Sequence, residues 1–243
     1  MSILVIGESC LDVFTYGACK RMCPEAPVPV FNPVRTITNE GMAFNVHRNL
    51  QALEAPCHLR TNNNYKRITK TRFIDEGTNH MFMRLDQNDQ AYGKCNIKEI
   101  NFSLHDAIII SDYNKGFLSE RDISFIGENH DLVFLDTKKI LGTWCKAVKY
   151  IKININEYEK TKHMLDEETD DKMIITMGSA GARHKGTIYS VPKVEIKDTS
   201  GAGDTFIAAL VTKYISANSI EESIKFANEC ATKVVQKKGV SVV

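Results

Sequence analysis

The sequence lacks the features that mark membrane-spanning, secreted and nucleic-acid-binding proteins. No apolar run comes near the roughly 20 residues that cross a bilayer. The N-terminus, MSILVIGES, has no basic region followed by the long apolar stretch of a signal peptide. Charge of one sign is not in excess, because 31 lysines and arginines face 30 acidic residues and the net charge is +1. We therefore expect a cytoplasmic protein that binds neither nucleic acid nor membrane.

Cysteine occurs without the spacing of a disulfide framework or a zinc site. The seven cysteines form no Cys-x-x-Cys pair. Cys19 and Cys23 have no second pair of cysteine or histidine residues nearby at zinc-ligand spacing. We therefore expect reduced thiols, as in a cytoplasmic protein.

The order of apolar segments predicts an α/β fold. The 243 residues, 43% of them hydrophobic, are enough for one large domain or two small ones. We expect strands at 2–7, 67–75, 80–86, 106–112, 132–136, 149–154 and 172–177, and helices at 43–53, after Ser119, after Asn154 and twice near the C-terminus. Residues 58–66 are polar and predict a loop, whereas the prolines within 13–38 favour irregular or edge structure. Apolar strands alternating with helices predict a mostly parallel sheet covered on both faces.

Polar side chains follow or end several of these strands. Asp12 lies in a predicted loop after the first strand, and Asp112, Asp136 and Asn154 stand at or just beyond the ends of later ones. In parallel sheets, ligands bind beyond the carboxyl ends of the strands. These residues are therefore candidates for a binding site.

The segment DTSGAGDTF, Asp198 to Phe206, predicts an anion site. The next residues form an amphipathic helix, so Gly201 and Gly203 lie at a helix N-terminus with unpaired N–H groups and a favourable dipole. An acid in an anion site is costly unless it acts on the bound group. Asp204 is therefore a candidate general base. The alternative interpretation is a tight turn in which Asp204 only adds charge to the helix start.

The same segment resembles the signature of the PfkB/ribokinase carbohydrate kinases. Further matches point to the heptose 7-phosphate kinase subgroup, namely CLDVFTYGACKRMCPEAPVPVF, ITKTRFID, MFMRLDQND, IIISDYNKGFLS, INEYE and the C-terminal EESIKFANECATKVVQKKGVSVV. The resemblance covers nearly the whole chain. It implies a ribokinase-like three-layer α/β sandwich with a mostly parallel sheet, formed as one domain over 1–243. It also implies a small β lid from about 13–38 and 67–86.

The resemblance implies ATP-dependent phosphoryl transfer to a sugar hydroxyl with Mg²⁺. In the heptose subgroup the acceptor is the anomeric hydroxyl of D-glycero-D-manno-heptose 7-phosphate, and the product is the 1,7-bisphosphate. Asp204 matches the family's base, and the N–H groups of Gly201, Ala202 and Gly203 match its anion hole. Such chemistry needs positioning and positive potential around the moving phosphate.

The resemblance assigns further site residues. Those for the acceptor are Asp12, Gly41, Asn45, Arg84, Asp112 and Lys115; those for the nucleotide are Lys138, Asn154, Thr176, Gly178, Gly181 and Asn228; those for the metal are Asn154 and Glu157. Several have a structural alternative. Asn45 could cap a helix, Asn154 and Glu157 could start one, and Arg84 could pair with Asp86. Asp112 and Lys115 could instead lie in a solvated turn, and Lys138 could be an exposed lysine that contacts no nucleotide.

Three departures from the family pattern bear on function. Gly41-Met42-Ala43-Phe44-Asn45 carries Met42 where the family has a glycine, so the acceptor pocket could be smaller or differently shaped. The absence of an apolar strand and helix in 54–66 predicts the loss of about one βα unit. Heptose kinases are often fused to a nucleotidyltransferase domain, which we do not expect in a chain ending at Val243.

Three hypotheses remain from the sequence. The first is a heptose 7-phosphate kinase, and the second is a kinase for another sugar or sugar phosphate, suggested by Met42. The third is a noncatalytic protein that binds a sugar phosphate or nucleotide, suggested by the missing unit. A dinucleotide-binding dehydrogenase fits poorly because no Gly-x-Gly-x-x-Gly follows the first strand. The lids of relatives often pair between subunits, so the resemblance also implies a homodimer.

Overall fold

The computed structural model describes residues 2–90, 92–237 and 239–243, in which two sheets and six α-helices form. The strands are β1 (Ile3–Gly7), β2 (Ser9–Met22), β3 (Pro29–Met42), β4 (Cys57–Arg60), β5 (Thr69–Asp75), β6 (Met81–Gln87), β7 (Ala107–Asp112), β8 (Val133–Thr137), β9 (Tyr150–Asn154), β10 (Met173–Thr176), β11 (Ala182–His184) and β12 (Thr187–Tyr189). The α-helices are α1 (Ala43–Ala52), α2 (Glu120–Glu128), α3 (Ile155–Thr161), α4 (Glu167–Asp170), α5 (Ala202–Ala217) and α6 (Ile220–Val234). None of these helices is long and apolar enough to cross a membrane.

The larger sheet has eight strands in the order β12-β11-β10-β9-β8-β7-β1-β4. The six strands from β10 to β4 in that order run parallel, and β11 and β12 form an antiparallel margin. Parallel strands are buried on both faces, which is why they read as continuous apolar runs such as AIII in β7. The predicted mostly parallel sheet is confirmed.

Helices cover both faces of this sheet. Alternate residues of a strand point to opposite faces, so Ile109 packs with α1, α5 and α6, whereas Ile108 and Ile110 pack with α2 on the other side. Ser119 and Asp122 start α2 with the reciprocal hydrogen bonds of a capping box. The three-layer arrangement predicted from the alternation of strands and helices is therefore present.

The smaller sheet has the order β3-β2-β5-β6. The prediction of irregular or edge structure over 13–38 is partly wrong, because β2 and β3 are antiparallel strands of 14 residues each, although β3 lies at the sheet edge and their pairing shifts register at Tyr16/Gly17 and Cys19/Arg21. Pro29 and Pro33 lie in β3, at the margin of the sheet, where a missing N–H breaks no interior ladder. Asp12, predicted in a loop, lies within β2 opposite Asn39. The 67–86 hairpin is confirmed as β5 and β6.

The predicted loop at 58–66 contains a strand that the sequence did not reveal. β4 pairs in parallel with β1 at the margin of the large sheet. Its residues alternate between half-buried and exposed, so it has no apolar run of the kind that marked the central strands. A short 3₁₀ turn at Tyr65–Arg67 is the helical element described between β4 and β5. The prediction that this strand is lost is therefore wrong, whereas an α-helix is absent from the described residues of this connection.

Candidate active site

A cavity of about 880 Å³ opens beyond the carboxyl ends of β8, β9 and β10, against the N-terminus of α5. Parallel strands and a helix N-terminus converge here, which is the usual position of a ligand site in this class of sheet. The site residues predicted from the sequence that line this cavity are Lys138, Asn154, Thr176, Gly178, Gly181, Gly201, Ala202, Gly203, Asp204 and Asn228. The fold therefore brings the predicted base, the predicted anion hole and all the predicted nucleotide residues to one cavity.

The N-terminus of α5 is shaped by glycine. Gly201 has a φ of 80°, and a Cβ on it would come within 2.7 Å of the Asn45 Nδ2 atom. A Cβ on Gly203 would come within 2.9 Å of Lys152 Nζ. The N–H of Ala202, one of the three amides of the predicted anion hole, already donates to the Thr199 carbonyl at 3.2 Å. The site thus requires close approach of backbone and polar side chains at both glycines.

Asp204 is buried, with 6% of its surface exposed, and both its carboxylate oxygens accept a hydrogen bond. Asn45 Nδ2 donates to Oδ2 at 2.9 Å, and Tyr113 Oη donates to Oδ1 at 2.8 Å. Burial, together with the charge of Asp136, raises the pKa of Asp204 to about 6, although the two hydrogen bonds and Lys152 oppose the shift. A carboxylate with a pKa near neutrality is suited to accept a proton from an alcohol.

Asn45 holds Asp204 and does not cap its helix. Met42 is the N-cap residue of α1, and Asn45 lies inside the first turn, so the capping alternative is wrong. Asn49 extends the support, because its Nδ2 donates to the Asn45 carbonyl at 2.9 Å and its Oδ1 accepts from Thr205 at 2.9 Å. Helices α1 and α5 are therefore joined by polar contacts at the base.

The sequence did not reveal a buried ion pair beside the anion site. Lys152 Nζ lies 2.7 Å from Asp136 Oδ2, and both side chains are less than a tenth exposed. The other oxygen of Asp136, Oδ1, is buried and has no hydrogen-bond partner among the described residues. The signal was present: Lys152 interrupts an apolar strand, and a buried lysine needs a partner. The pair places positive charge next to Gly203.

Asn154 and Glu157 start α3 as a capping box. Asn154 Oδ1 accepts from the Glu157 N–H at 2.9 Å, and Glu157 Oε2 accepts from the Asn154 N–H at 2.8 Å. Glu157 also pairs with Lys138, whose Nζ lies 5.7 Å from the centre of the Tyr113 ring. The structural alternative for these two residues is therefore realised, and their part in metal binding stays a prediction.

The far wall of the cavity is fixed by one backbone carbonyl. A Cβ on Gly181 would approach the Tyr189 carbonyl oxygen to 2.0 Å, and Gly181 has a φ of 91°. Asn228 Nδ2 donates to the same carbonyl at 2.7 Å. These contacts hold α6 against the β10–β12 margin and set the width of the cavity.

Three of the predicted acceptor residues, Asp12, Gly41 and Arg84, lie in strands of the small sheet. Asp12 Oδ1 accepts from Arg72 at 2.6 Å, a partner that the sequence did not reveal. A Cβ on Gly41 would come within 2.1 Å of Asp12 Oδ2, so the strand approaches this carboxylate closely. Met42 is buried at a φ of 63°, a backbone conformation that favours glycine, and its sulfur contacts Tyr92 Oη at 3.6 Å. The thioether therefore fills space next to the acceptor side.

Three predicted acceptor residues have other partners. Asp112 is buried and accepts from Lys139 at 2.6 Å and from Thr137, so it is not part of the cavity wall. Lys115 pairs with Asp89. Arg84 forms a bidentate pair with Asp86 on an exposed strand, which is the structural alternative. Their contact with an acceptor stays a prediction.

A second cavity, about 660 Å³, lies at the opposite, amino end of the parallel strands. Two of its lysines are paired, Lys172 with Glu168 at 2.9 Å and Lys185 with Asp171 at 2.9 Å. The helix N-terminus with its glycines and buried acid lies at the first cavity.

Comparison with known families and relatives gives a consistent result. The model of the pfkB family carbohydrate kinases matches residues 62–242. The bifunctional protein HldE of Helicobacter pylori strain J99 is 28% identical over 98% of this chain and 63% of its own length. HldE of Sulfurimonas denitrificans is 28% identical over 99% and 62%, respectively. The chain thus spans less than two thirds of these relatives, and its alignment with the first runs over 292 positions, more than the chain's own length.

Solved structures agree on the fold. The ribokinase of Thermotoga maritima superimposes with a TM-score of 0.71 at 15% identity, covering 98% of this chain and 94% of its own. The nucleoside kinase of Methanocaldococcus jannaschii gives 0.72 at 17% identity, covering 98% and 93%. The fold is therefore ribokinase-like.

Proposed function

Since this chain belongs to the pfkB family of carbohydrate kinases, we propose that it transfers the γ-phosphate of ATP to the anomeric hydroxyl of D-glycero-D-manno-heptose 7-phosphate. The product would be the 1,7-bisphosphate. The observation that carries the chemistry is the buried Asp204, with a pKa of about 6, held by Asn45 at the N-terminus of α5. Similarity to HldE proteins over nearly the whole chain supports the heptose acceptor.

The proposed reaction follows from the residues around α5. Asp204 accepts the proton of the acceptor hydroxyl while that oxygen bonds to the γ-phosphorus and ADP leaves. The amides of Gly201 and Gly203 at the start of α5 and the charge of Lys152 stabilise the negative charge on the moving phosphoryl group. Asp12 and Arg72, under the small sheet, orient the acceptor.

The donor set beside the cavity fits a magnesium ion. Mg²⁺ in kinases is held by one or two carboxylates together with phosphates and waters. Asp136 Oδ1 is a buried acceptor without a partner among the described residues, and Asn154 and Glu157 stand across the same strand ends. When bound, the ion would neutralise charge on the ATP phosphates. Asp136 would hold it through Oδ1, and Asn154 and Glu157 would join it by giving up their capping-box bonds.

The first test is ADP release with Mg-ATP across a panel of sugars headed by the heptose 7-phosphate. Turnover on this sugar, lost in Asp204→Asn with ATP affinity retained, supports the proposal. ATP binding without turnover on any sugar supports a noncatalytic binding protein. That result would overturn the kinase proposal.

A second candidate is a kinase for a different sugar or sugar phosphate, and Met42 is the observation behind it. Its buried thioether stands at a glycine-like backbone conformation beside Gly41 and the Asp12–Arg72 pair. Turnover restricted to another sugar in the wild type, together with heptose phosphate turnover gained by Met42→Gly, would favour this candidate.

We also propose a homodimer formed through the small sheet, which serves as the lid. Large apolar side chains are exposed on it, among them Val34 at 72%, Met83 at 54% and Met81 at 49%. Exposed apolar patches of this kind mark interaction surfaces. Light scattering is expected to give twice the chain mass for the wild type and a lower value for Val34→Glu. A wild-type monomer at high concentration contradicts the proposal.

A cytoplasmic location is proposed as well. ATP is the proposed phosphate donor, and all seven cysteines are free thiols in the structure. Fractionation of cells that express the tagged chain would test the location.

A further inference from the structure

Tyr113 reaches the candidate base from a tightly anchored turn after β7. Its backbone N–H donates to Glu8 Oε2 at 2.8 Å, and the backbone N–H of Lys115 donates to Glu8 Oε1 at 3.0 Å. Asn114 and Gly116 in the same turn have positive φ values of 56° and 90°. The buried Glu8 thus fixes the backbone of this turn, and the phenol is the part of Tyr113 that extends towards α5.

The phenol occupies one of the two acceptor positions of the base. Tyr113 Oη donates to Asp204 Oδ1 at 2.8 Å, and Asn45 takes Oδ2 at 2.9 Å. A hydroxyl that gives its proton to Asp204 must first hydrogen-bond to the carboxylate. Because Asn45 is buried and held by Asn49, Oδ1 is the oxygen whose partner can be exchanged.

The phenol meets the carboxylate at the wall of the cavity, because Tyr113 and Asp204 both line it. Asp204 is 6% exposed, whereas Tyr113 is half-buried and lines the cavity. Lys138 lies over its ring at 5.7 Å. With the phenol in place, water or a substrate hydroxyl must compete with it for hydrogen bonding to Oδ1.

We propose that Tyr113 is a positioning residue that reserves Asp204 for the acceptor sugar: its phenol occupies the place of the acceptor hydroxyl and keeps water from Asp204 until the sugar displaces it. This inference rests on the proposed kinase function. It gives the protein a means to choose between two reactions that differ only in the attacking oxygen. In the unwanted reaction a water oxygen bonds to the γ-phosphorus, the bond from that phosphorus to the bridging oxygen of ADP breaks, and Asp204 takes the proton from the water.

Removal of the hydroxyl tests the inference directly. In Tyr113→Phe the ring remains, and the vacated position has room for one water next to the carboxylate. Loss of a hydrogen bond to a charged group corresponds to a change of about tenfold or more in occupancy. Acceptor-free ADP release is therefore expected to rise about tenfold, and the ratio of sugar phosphate formed to ADP released is expected to fall. The KM for the acceptor is expected to decrease with little change in kcat, because a water at Oδ1 is free to leave, whereas the phenol belongs to an anchored turn.

Two controls separate this role from a structural one. Tyr158→Phe removes a phenol that donates to Asp170 at 3.4 Å and does not line the cavity, so acceptor-free hydrolysis should not change. The double variant Tyr113→Phe/Asp204→Asn should lose the increase. Melting temperature and ATP affinity, measured on each variant, identify any general loss of structure. If Tyr113→Phe does not fold, Tyr113→Leu takes its place.

The result that overturns the inference is acceptor-free hydrolysis in Tyr113→Phe equal to or below that of the wild type. An increase that persists in the double variant also overturns it, because the attacking water would not then depend on Asp204. Failure of the proposed function has a different signature. A wild type that phosphorylates no sugar, combined with Asp204-dependent hydrolysis in Tyr113→Phe, refutes the acceptor assignment and leaves the role of Tyr113 supported.

Discussion

Replacing Lys152 by methionine tests how much the buried Lys152–Asp136 ion pair beside α5 contributes to stability and to activity. The two side chains of the Lys152–Asp136 pair are 4% and 8% exposed. Methionine has a similar length and no charge, so the substitution leaves the Asp136 carboxylate buried without its cation. Removing one partner of a buried pair typically costs about 3–5 kcal/mol of unfolding free energy.

The matched control is Lys172→Met. Lys172 lies in the turn just before β10 and pairs with Glu168 at 2.9 Å, but Glu168 is 67% exposed. Pairs of this kind contribute about 0–1 kcal/mol. Urea unfolding at pH 7 should therefore separate the two variants by roughly 2 kcal/mol or more.

The double variant Lys152→Met/Asp136→Asn removes both charges. It is expected to recover much of the lost stability, because no uncompensated carboxylate remains. Activity should not recover, since the positive charge next to Gly203 is gone and the Asp136 carboxylate proposed to hold magnesium is gone as well. Equal costs for Lys152→Met and Lys172→Met, or full activity in the double variant, would refute this account of the pair.

Further predictions concern the base and its support. The kinase rate is expected to fall as pH drops through about 6, because protonation of Asp204 removes the base; a rate unchanged at pH 5 contradicts that role. Folding raises the pKa of Asp204 from its usual 3.8 to about 6, so this carboxyl opposes folding increasingly as pH rises between these values and fully above about 6; Asp204→Asn should raise the melting temperature more at pH 7.5 than at pH 5. Gly201→Ala and Gly186→Ala both place a side chain at positive φ, with φ of 80° and 77°, and each should cost about 1–2 kcal/mol. Only Gly201→Ala should abolish activity, since its Cβ meets Asn45 and nothing lies within 4 Å at Gly186; equal activities would count against the shape argument.

The fold was predictable where local patterns decide it. Buried parallel strands such as β7 read as apolar runs, and the Ser119–Asp122 capping box marks the start of α2. Long-range pairing decides β2 and β3. Pro29 and Pro33 of β3 suggested irregular chain, but they lie at a sheet margin. β4 was missed because a half-exposed marginal strand lacks an apolar run.

The site residues also divide into those that the sequence could assign and those that only the structure reveals. The Gly-Ala-Gly segment and Asp204 could be assigned from the sequence, because together they stand at a helix start, where backbone N–H groups bind anions. Tyr113, Lys152 and Arg72 could not be assigned, since each depends on a partner from a distant strand or helix. Conversely, Asp112 looked available at a strand end, yet Lys139 and Thr137 take its oxygens.

The most direct test of the central claim is a phosphorus NMR spectrum of the heptose 7-phosphate after incubation with Mg-ATP and the protein. The account predicts a new phosphate signal, coupled to the anomeric proton, with the wild type and none with Asp204→Asn, although both proteins bind ATP. An anomeric phosphate formed equally by Asp204→Asn, or none formed by a wild type that binds both ligands, would contradict it.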